Sequence, residues 1–320
     1  MIPRAVLLGL MALIALFGAV TMCARSVVRD QIAAVAALDP RSFDALTLVV
    51  AGSGGAYENP QRHGPAVVVG LGPRIVLVDA GRGVAEGLRA VTIPVAQPDT
   101  VFLTSLLPEN VVGLDDLLYT GWLAPRTAPV RLIGPPGTRA LAEALMRAHA
   151  GGVAALTESL ALPADGALLS ALEVGDGWSE DRDGLAVRVA ALPGGPLPAL
   201  AFRFEAKGRS AVVSGVGWGG DALVPFASGA GALVLEALHR PSLDGAIEAG
   251  GEDAERLRRE GALHASLEDA ASVASRAGVG TLVLVRLRPP PILAWQFERA
   301  AGAGFAGKVV VAADGEEIVP

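Results

Sequence analysis

Histidine and cysteine are scarce in this chain. Its 320 residues hold one cysteine, Cys23, and four histidines, His63, His149, His239 and His264. A single cysteine excludes an internal disulfide and a thiolate metal cluster. The histidines lie far apart, so neither H-x-H nor H-E-x-x-H can be written, and a histidine-rich metal site would need nearly all of them. Positive charge is not in excess either. There are 26 basic and 33 acidic residues, a net charge of −7 without any run of like charge, which is not the footprint of a nucleic-acid binder. No nucleic-acid partner is expected. What is abundant is apolar: 52% of the residues are hydrophobic, too many for disorder and enough for a large core. Forty glycines and 22 prolines imply many tight turns.

The clearest local signal is N-terminal. Residues 5–24 carry no charge and are bounded by Arg4, Arg25 and Arg29. Twenty apolar residues in a helix match the roughly 30 Å hydrocarbon core of a bilayer. A cleaved signal peptide is the rival, but Met22 and Cys23 stand where small residues would precede a cleavage site. The expectation is an anchor over 1–30, with the membrane as partner through 5–24 and a helical linker over 31–44 that includes a short helix at 30–38. The remainder then lies on the membrane, in an extracytoplasmic or periplasmic setting whose orientation the nearly balanced flanking charge leaves open.

From residue 45 the pattern changes to short apolar runs cut by glycine and proline. Strands are predicted at 46–51, 66–69, 74–79, 100–103, 130–133, 186–191, 199–205, 210–214, 232–235, 281–285 and 308–311. Helices are predicted at 137–149, 252–261 and 267–277. The stretch 151–184 reads as an insertion or lid. Strands that come first in pairs and then alternate with helices imply an α/β domain over 45–320.

Several stretches then carry a family resemblance: "LVVAGSGGAYENPQRHGPAVVV", "IVLVDAG", "VFLTSLLPENVVGLDDL", "RTAPVRLIGPPGT", "GGPLPALAFRFEAKGRSAVVSG" and "LHASLEDAASVASRAGVGTLVLVRLRPP". In this order they resemble the metallo-β-lactamase fold, in its ribonuclease Z and arylsulfatase-like branch, which includes membrane-anchored bacterial members. The resemblance implies an αββα sandwich, here preceded by a transmembrane helix. It also implies a hydrolase whose two zinc ions activate a bridging hydroxide.

The family's metal ligands map onto residues that differ from them. The H-x-H-x-D-H positions are Ser105, Leu107, Glu109 and Asn110; three further ligand positions are Gly194, Val216 and Arg286. Of these, Glu109 alone is a metal donor, and a guanidinium is not one. The expectation that follows is no cofactor and a pseudoenzyme with a binding or scaffold role, its ligand a small molecule or a protein. The alternative is a divergent but active hydrolase of phosphodiester, sulfate or acyl esters. A third possibility is metal-independent chemistry by His264 and a serine.

His264 matches a histidine that the family places near its site, so it is the catalytic candidate; against this stands a helix-entry histidine bonded to Ser266 or backbone. Asp79 and Ser214 end strands beside the cleft. Because Glu109 and Arg286 match ligands of one metal, they are expected within about 4 Å as an ion pair, with Leu107, Val216 and Asn110 beside them.

Overall fold

The computed structural model describes residues 3–124, 126–215, 220–250, 253–291 and 293–320, with the backbone alone for 4–8, 10, 12 and 30–35. It divides into two units, Met1–Leu38 and Asp39–Pro320.

The first unit is one helix, α1 (Arg4–Val35). The separate short helix predicted at 30–38 is instead the end of α1, because no glycine or proline interrupts residues 19–39. Leu13, Ile14, Leu16, Phe17 and Val20 are exposed on it. Among the described residues no helix is long and apolar enough to cross a membrane; the described side chains of α1 run unbroken only over 13–29. The expected transmembrane span finds no support there.

In the second unit, β1 (Phe43–Gly52), β2 (Ala66–Gly72), β3 (Arg74–Val78), β4 (Thr100–Phe102), β5 (Val130–Gly134) and β6 (Leu169–Glu173) lie side by side. A second sheet runs from β7 (Ser179–Arg182) through β8 (Leu185–Leu192), β9 (Ala199–Ala206), β10 (Arg209–Ser214), β11 (Ala232–Leu238) and β12 (Thr281–Arg288) to β13 (Lys308–Val311). The last strand, β14 (Glu317–Ile318), returns to pair with β1. Each sheet is antiparallel on one side, β1 to β3 and β7 to β10, and parallel on the other, β3 to β6 and β10 to β13.

The period of two in a strand makes the layers. In β1, Leu46, Leu48 and Val50 enter the core between the sheets with Phe102, Phe202, Phe204 and Val283, while Val49 and Ala51 face the other way. That outer face is covered by α2 (Val84–Ala90), by α4 (Leu114–Leu123), which follows the short α3 (Pro108–Val111), and by α5 (Thr138–Leu160). The outer face of the second sheet packs against α6 (Leu223–Ala227), α9 (Leu267–Ala277) and α10 (Ala294–Gly302). Between α6 and α9 the chain forms a helical hairpin, α7 (Arg240–Glu248) and α8 (Ala254–Gly261). Strands β1 to β4, β11 and β12 are buried on both faces over most of their length, which is why they read as continuous apolar runs.

The result is an αββα sandwich. Among the described residues all three cores lie between residues 43 and 318, so the 39–320 unit holds a core of its own. Residues 151–184 hold the second half of α5, a 3₁₀ turn at Ala164–Ala167 and the edge strands β6 and β7.

Candidate functional site

The carboxyl ends of the parallel strands meet at one edge of the sandwich, where α/β folds keep their ligand sites. Just past β3, Asp79 takes a left-handed backbone, φ 60°. Its carboxylate is wholly buried and accepts from the Thr104 backbone N–H at 2.8 Å and the Thr104 hydroxyl at 2.7 Å. The other partner is the Arg286 guanidinium, whose Nη2 donates to Asp79 Oδ2. Arg286 is 2% exposed and is itself left-handed, φ 51°.

A β-bulge explains this conformation: Glu236 of β11 pairs with Val285, but Leu238 pairs with Arg288, so β12 holds one extra residue. The Arg286 N–H leaves the ladder and donates to the Ser53 carbonyl at 2.8 Å. Burial pushes the Asp79 carboxyl up from its ordinary range, against the Arg286 charge and the Thr104 bonds. Beside the pair, Asn110 Nδ2 donates to Ser105 Oγ at 2.8 Å and to Thr104 Oγ1 at 3.2 Å.

A second cluster adjoins the first. Arg288 donates through Nη2 to Glu109 at 3.0 Å and through Nη1 to Glu236 at 3.1 Å. Glu236 Oε2 also lies 3.0 Å from His264 Nδ1, and all three side chains around it are nearly inaccessible. Burial acts to raise the Glu236 carboxyl, but the His264 hydrogen bond and the charges of His264, Arg288 and Arg286 outweigh it and hold Glu236 below its ordinary range. His264 does not use Ser266. That serine accepts from the Asp269 N–H in the capping box that opens α9. The imidazole is instead oriented by a buried carboxylate, the arrangement that fixes a tautomer in acid–base sites.

The sequence-predicted positions are therefore partly brought together. Ser105, Asn110, Asp79 and Arg286 share the first cluster; Glu109 and His264 belong to the second. Leu107 precedes α3, half-buried, with its N–H on Ser105 Oγ at 3.3 Å. Ser214 is buried at the end of β10, and a Cβ on the following Gly215 would lie 2.1 Å from Thr104 Oγ1, so this strand end backs onto the Asp79 ligand. Gly194 sits in an exposed turn with φ 96°. Val216 lies outside the described residues.

The expected Glu109–Arg286 pair is not formed. The bulge turns Arg286 to Asp79, and Arg288, two residues on, takes Glu109. Sequence reasoning missed both Glu236 and Arg288. Their signals were a lone carboxylate inside the apolar run "ALVLEAL" and a second arginine in "VRLRPP". It also missed Asp314, whose Oδ1 accepts from the Ser53 N–H and hydroxyl at 2.7 and 2.6 Å and whose Oδ2 lies 2.7 and 2.8 Å from the His63 N–H and Nδ1. That staple fixes the glycine-rich loop between β1 and β2 and gives His63 a structural partner.

These residues do not fit a two-metal centre. Among the described residues no three of histidine, cysteine, aspartate and glutamate converge to hold an ion. The buried guanidinium of Arg286 leaves Nε and Nη1 without partners, and unmet donors call for an acceptor rather than a cation.

Comparison with known proteins supplies the kinship. No family model matches. Ribonuclease Z of Mycobacterium marinum is 33% identical over 278 residues, spanning 84% of this chain and 96% of that protein. Among solved structures, the metallo-beta-lactamase fold protein YhfI from Bacillus subtilis aligns with a TM-score of 0.63 at 17% identity, covering 85% of this chain and 98% of that one. The short form of human tRNase Z aligns with a TM-score of 0.62 at 21% identity, over 86% of this chain and all of that one.

The expectation of no cofactor needs correction. The relatives are ribonucleases Z, and a further neighbour in fold, PqqB from Methylobacterium extorquens (TM-score 0.57, 16% identity, 85% of this chain and 99% of that one), is Zn(2+)-bound. The replaced ligand positions therefore do not establish that this chain works without a cofactor. With 33% identity over most of both chains, collinear with an αββα sandwich, the chain belongs to the ribonuclease Z family of the metallo-β-lactamase fold.

Proposed function

We propose that this chain is a binding member of the ribonuclease Z family that has given up hydrolysis. One observation carries the proposal: at the position matching a family ligand, Arg286 is buried and paired with Asp79. Hydrolysis at this fold edge needs a group that lowers the pKa of water. A guanidinium stays protonated throughout the working pH range and takes no proton from water. Ser105 and Asn110 are neutral and are bonded to each other, so they also supply no base. The edge holds a buried polar network of Asp79, Thr104, Arg286, Ser105 and Asn110 in place of a general base.

A second reading, an active hydrolase, is favoured by the His264–Glu236 contact, since an imidazole oriented by a carboxylate is equipped for proton transfer. The two readings separate in a turnover assay supplied with zinc or manganese. Substrates are bis(p-nitrophenyl) phosphate, p-nitrophenyl sulfate, p-nitrophenyl acetate and a precursor tRNA. The binding reading expects rates equal to buffer for wild type and for His264→Ala. Turnover that disappears in His264→Ala would establish the second reading instead.

The membrane anchor belongs to the same proposal. Its support is a 32-residue helix, α1, that includes the uncharged stretch 5–24 and exposes apolar side chains in the described part. Full-length protein is expected in the membrane fraction after carbonate extraction, and the 39–320 unit in the supernatant. Uncleaved full-length protein in the supernatant would remove the anchor.

A further inference from the structure

A cleft of about 300 Å³ lies between the glycine-rich loop after β1, the α7–α8 hairpin and the proline run 289–291. Its floor is apolar, made by Leu238, Leu243, Leu257 and Leu287. A cavity of about 150 Å³ takes one benzene, so this cleft has room for about two fused rings.

The charged groups on its wall are already engaged with one another. Arg288 donates to Glu109 at 3.0 Å and to Glu236 at 3.1 Å, and its Nε lies 3.5 Å from Glu260. Arg256 donates through Nε to Asp253 at 3.1 Å, and through Nη1 to Tyr57 Oη at 3.0 Å and Glu260 at 3.4 Å. Arg62 donates to Ser53 Oγ at 2.8 Å, and that hydroxyl is held by Asp314 at 2.6 Å. An ion entering the cleft would give up its water and meet no free counter-charge, which disfavours it whatever its sign.

What the pairing leaves open is flat surface. A guanidinium bonded along its edge still has its faces for stacking on a ring. Arg256 is half exposed at the cleft, its nitrogens turned to Asp253, Glu260 and Tyr57. The Tyr57 ring is 53% exposed beside it, and its hydroxyl is tied to Glu260 at 2.8 Å. An aromatic ring, a guanidinium face and the rings of Pro289, Pro290 and Pro291 thus stand around an apolar floor.

We propose that this cleft binds an uncharged, planar aromatic molecule of about two fused rings, seated on the leucine floor against the Tyr57 ring and the Arg256 face. This deepens the binding reading and rests on it only in that the ligand is held rather than cleaved. None of the probes below contains an ester bond, so binding and turnover fail separately.

The test is calorimetric titration of the full-length protein with naphthol, an uncharged ring pair at neutral pH. Naphthoate and naphthylmethylammonium test charge of either sign, and decahydronaphthol, the saturated skeleton, tests planarity. Both ions are expected on the order of tenfold weaker than naphthol, since each buries a charge without a partner. Decahydronaphthol is expected about fivefold weaker, the loss of one half-exposed cation–π contact and of ring stacking. Tyr57→Ala should weaken naphthol about fivefold, while Tyr57→Phe, which keeps the ring, should bind as wild type does. Ala246→Trp, at an exposed lining position, should fill the cleft and abolish binding with an unchanged Tm.

Equal affinity for naphthol and decahydronaphthol would overturn the proposal, as would either ion binding as tightly as naphthol. Unchanged affinity in Ala246→Trp, or no binding of naphthol at all, would do the same. A loss in Tyr57→Phe as large as in Tyr57→Ala would assign the effect to the hydroxyl bond with Glu260 and remove the stacking. In each of those outcomes an absence of hydrolysis still leaves the binding reading standing.

Discussion

Two buried ionic clusters share one edge of the sandwich, and they are built differently. Asp79 and Arg286 form a one-to-one pair, both residues left-handed in φ, with Thr104 completing the carboxylate's bonds. The neighbouring cluster sets three carboxylates, Glu109, Glu236 and Glu260, around a single guanidinium, Arg288, and adds the His264 imidazole. Their carboxyls are displaced in opposite directions, Asp79 upward by burial and Glu236 downward by its partners. The difference teaches that charge was settled twice over at this edge. In one place a single carboxylate meets a single guanidinium, and in the other a carboxylate is shared by an imidazole and an arginine.

The largest expected effect comes from breaking the lock. Arg286→Met leaves Asp79 buried and unpaired, and removing one partner of such a pair costs about 3–5 kcal/mol. Urea denaturation of the 39–320 unit should show that loss, and adding Asp79→Asn should recover most of it. A loss under about 1 kcal/mol would mean that the pair is not buried in solution.

An intermediate effect separates the clusters by pH. Glu236 titrates lower in the folded chain than unfolded, so its stabilisation is complete above the ordinary glutamate value of about 4.3 and is lost as pH falls toward the folded value. The Tm gap between wild type and Glu236→Gln should therefore narrow below about pH 4.3. Asp79 has the opposite sign: its folded value is raised, so its contribution becomes more favourable as pH falls. The gap between wild type and Asp79→Asn should move the other way. Parallel pH profiles for the two variants would erase the contrast.

The smallest effect is a control outside both clusters. Ser266→Ala removes the capping box of α9 and should cost about 1 kcal/mol, with no change in either pH profile. A shifted profile would show that His264 is held by its helix and not by Glu236.

Much of the fold was legible because the central strands are buried on both faces: apolar runs such as 46–51 and 281–285 mark strands whatever their neighbours. The positions Ser105, Asn110, Asp79 and Arg286 could be brought together by collinear motifs. What could not be read was the direction of side chains at a strand end. One bulged residue between Val285 and Arg288 decides whether Glu109 meets Arg286 or Arg288, and no spacing rule reveals a bulge. Glu236 was hidden for a related reason, since a strand pattern assigns it to the core while only the tertiary arrangement supplies His264 and Arg288 as partners. The edge strands β6 and β7 lie in a glycine- and alanine-rich stretch whose weak alternation gives little period to detect.

The central claim, that a guanidinium–carboxylate lock occupies the edge where relatives of this fold do chemistry, is tested most directly by a double-mutant cycle on Asp79→Asn and Arg286→Met in urea denaturation. The account predicts a coupling of about 2–3 kcal/mol, toward the upper end for contacting charged residues. Single-variant losses that add to within about 0.5 kcal/mol, the behaviour of independent sites, would contradict it.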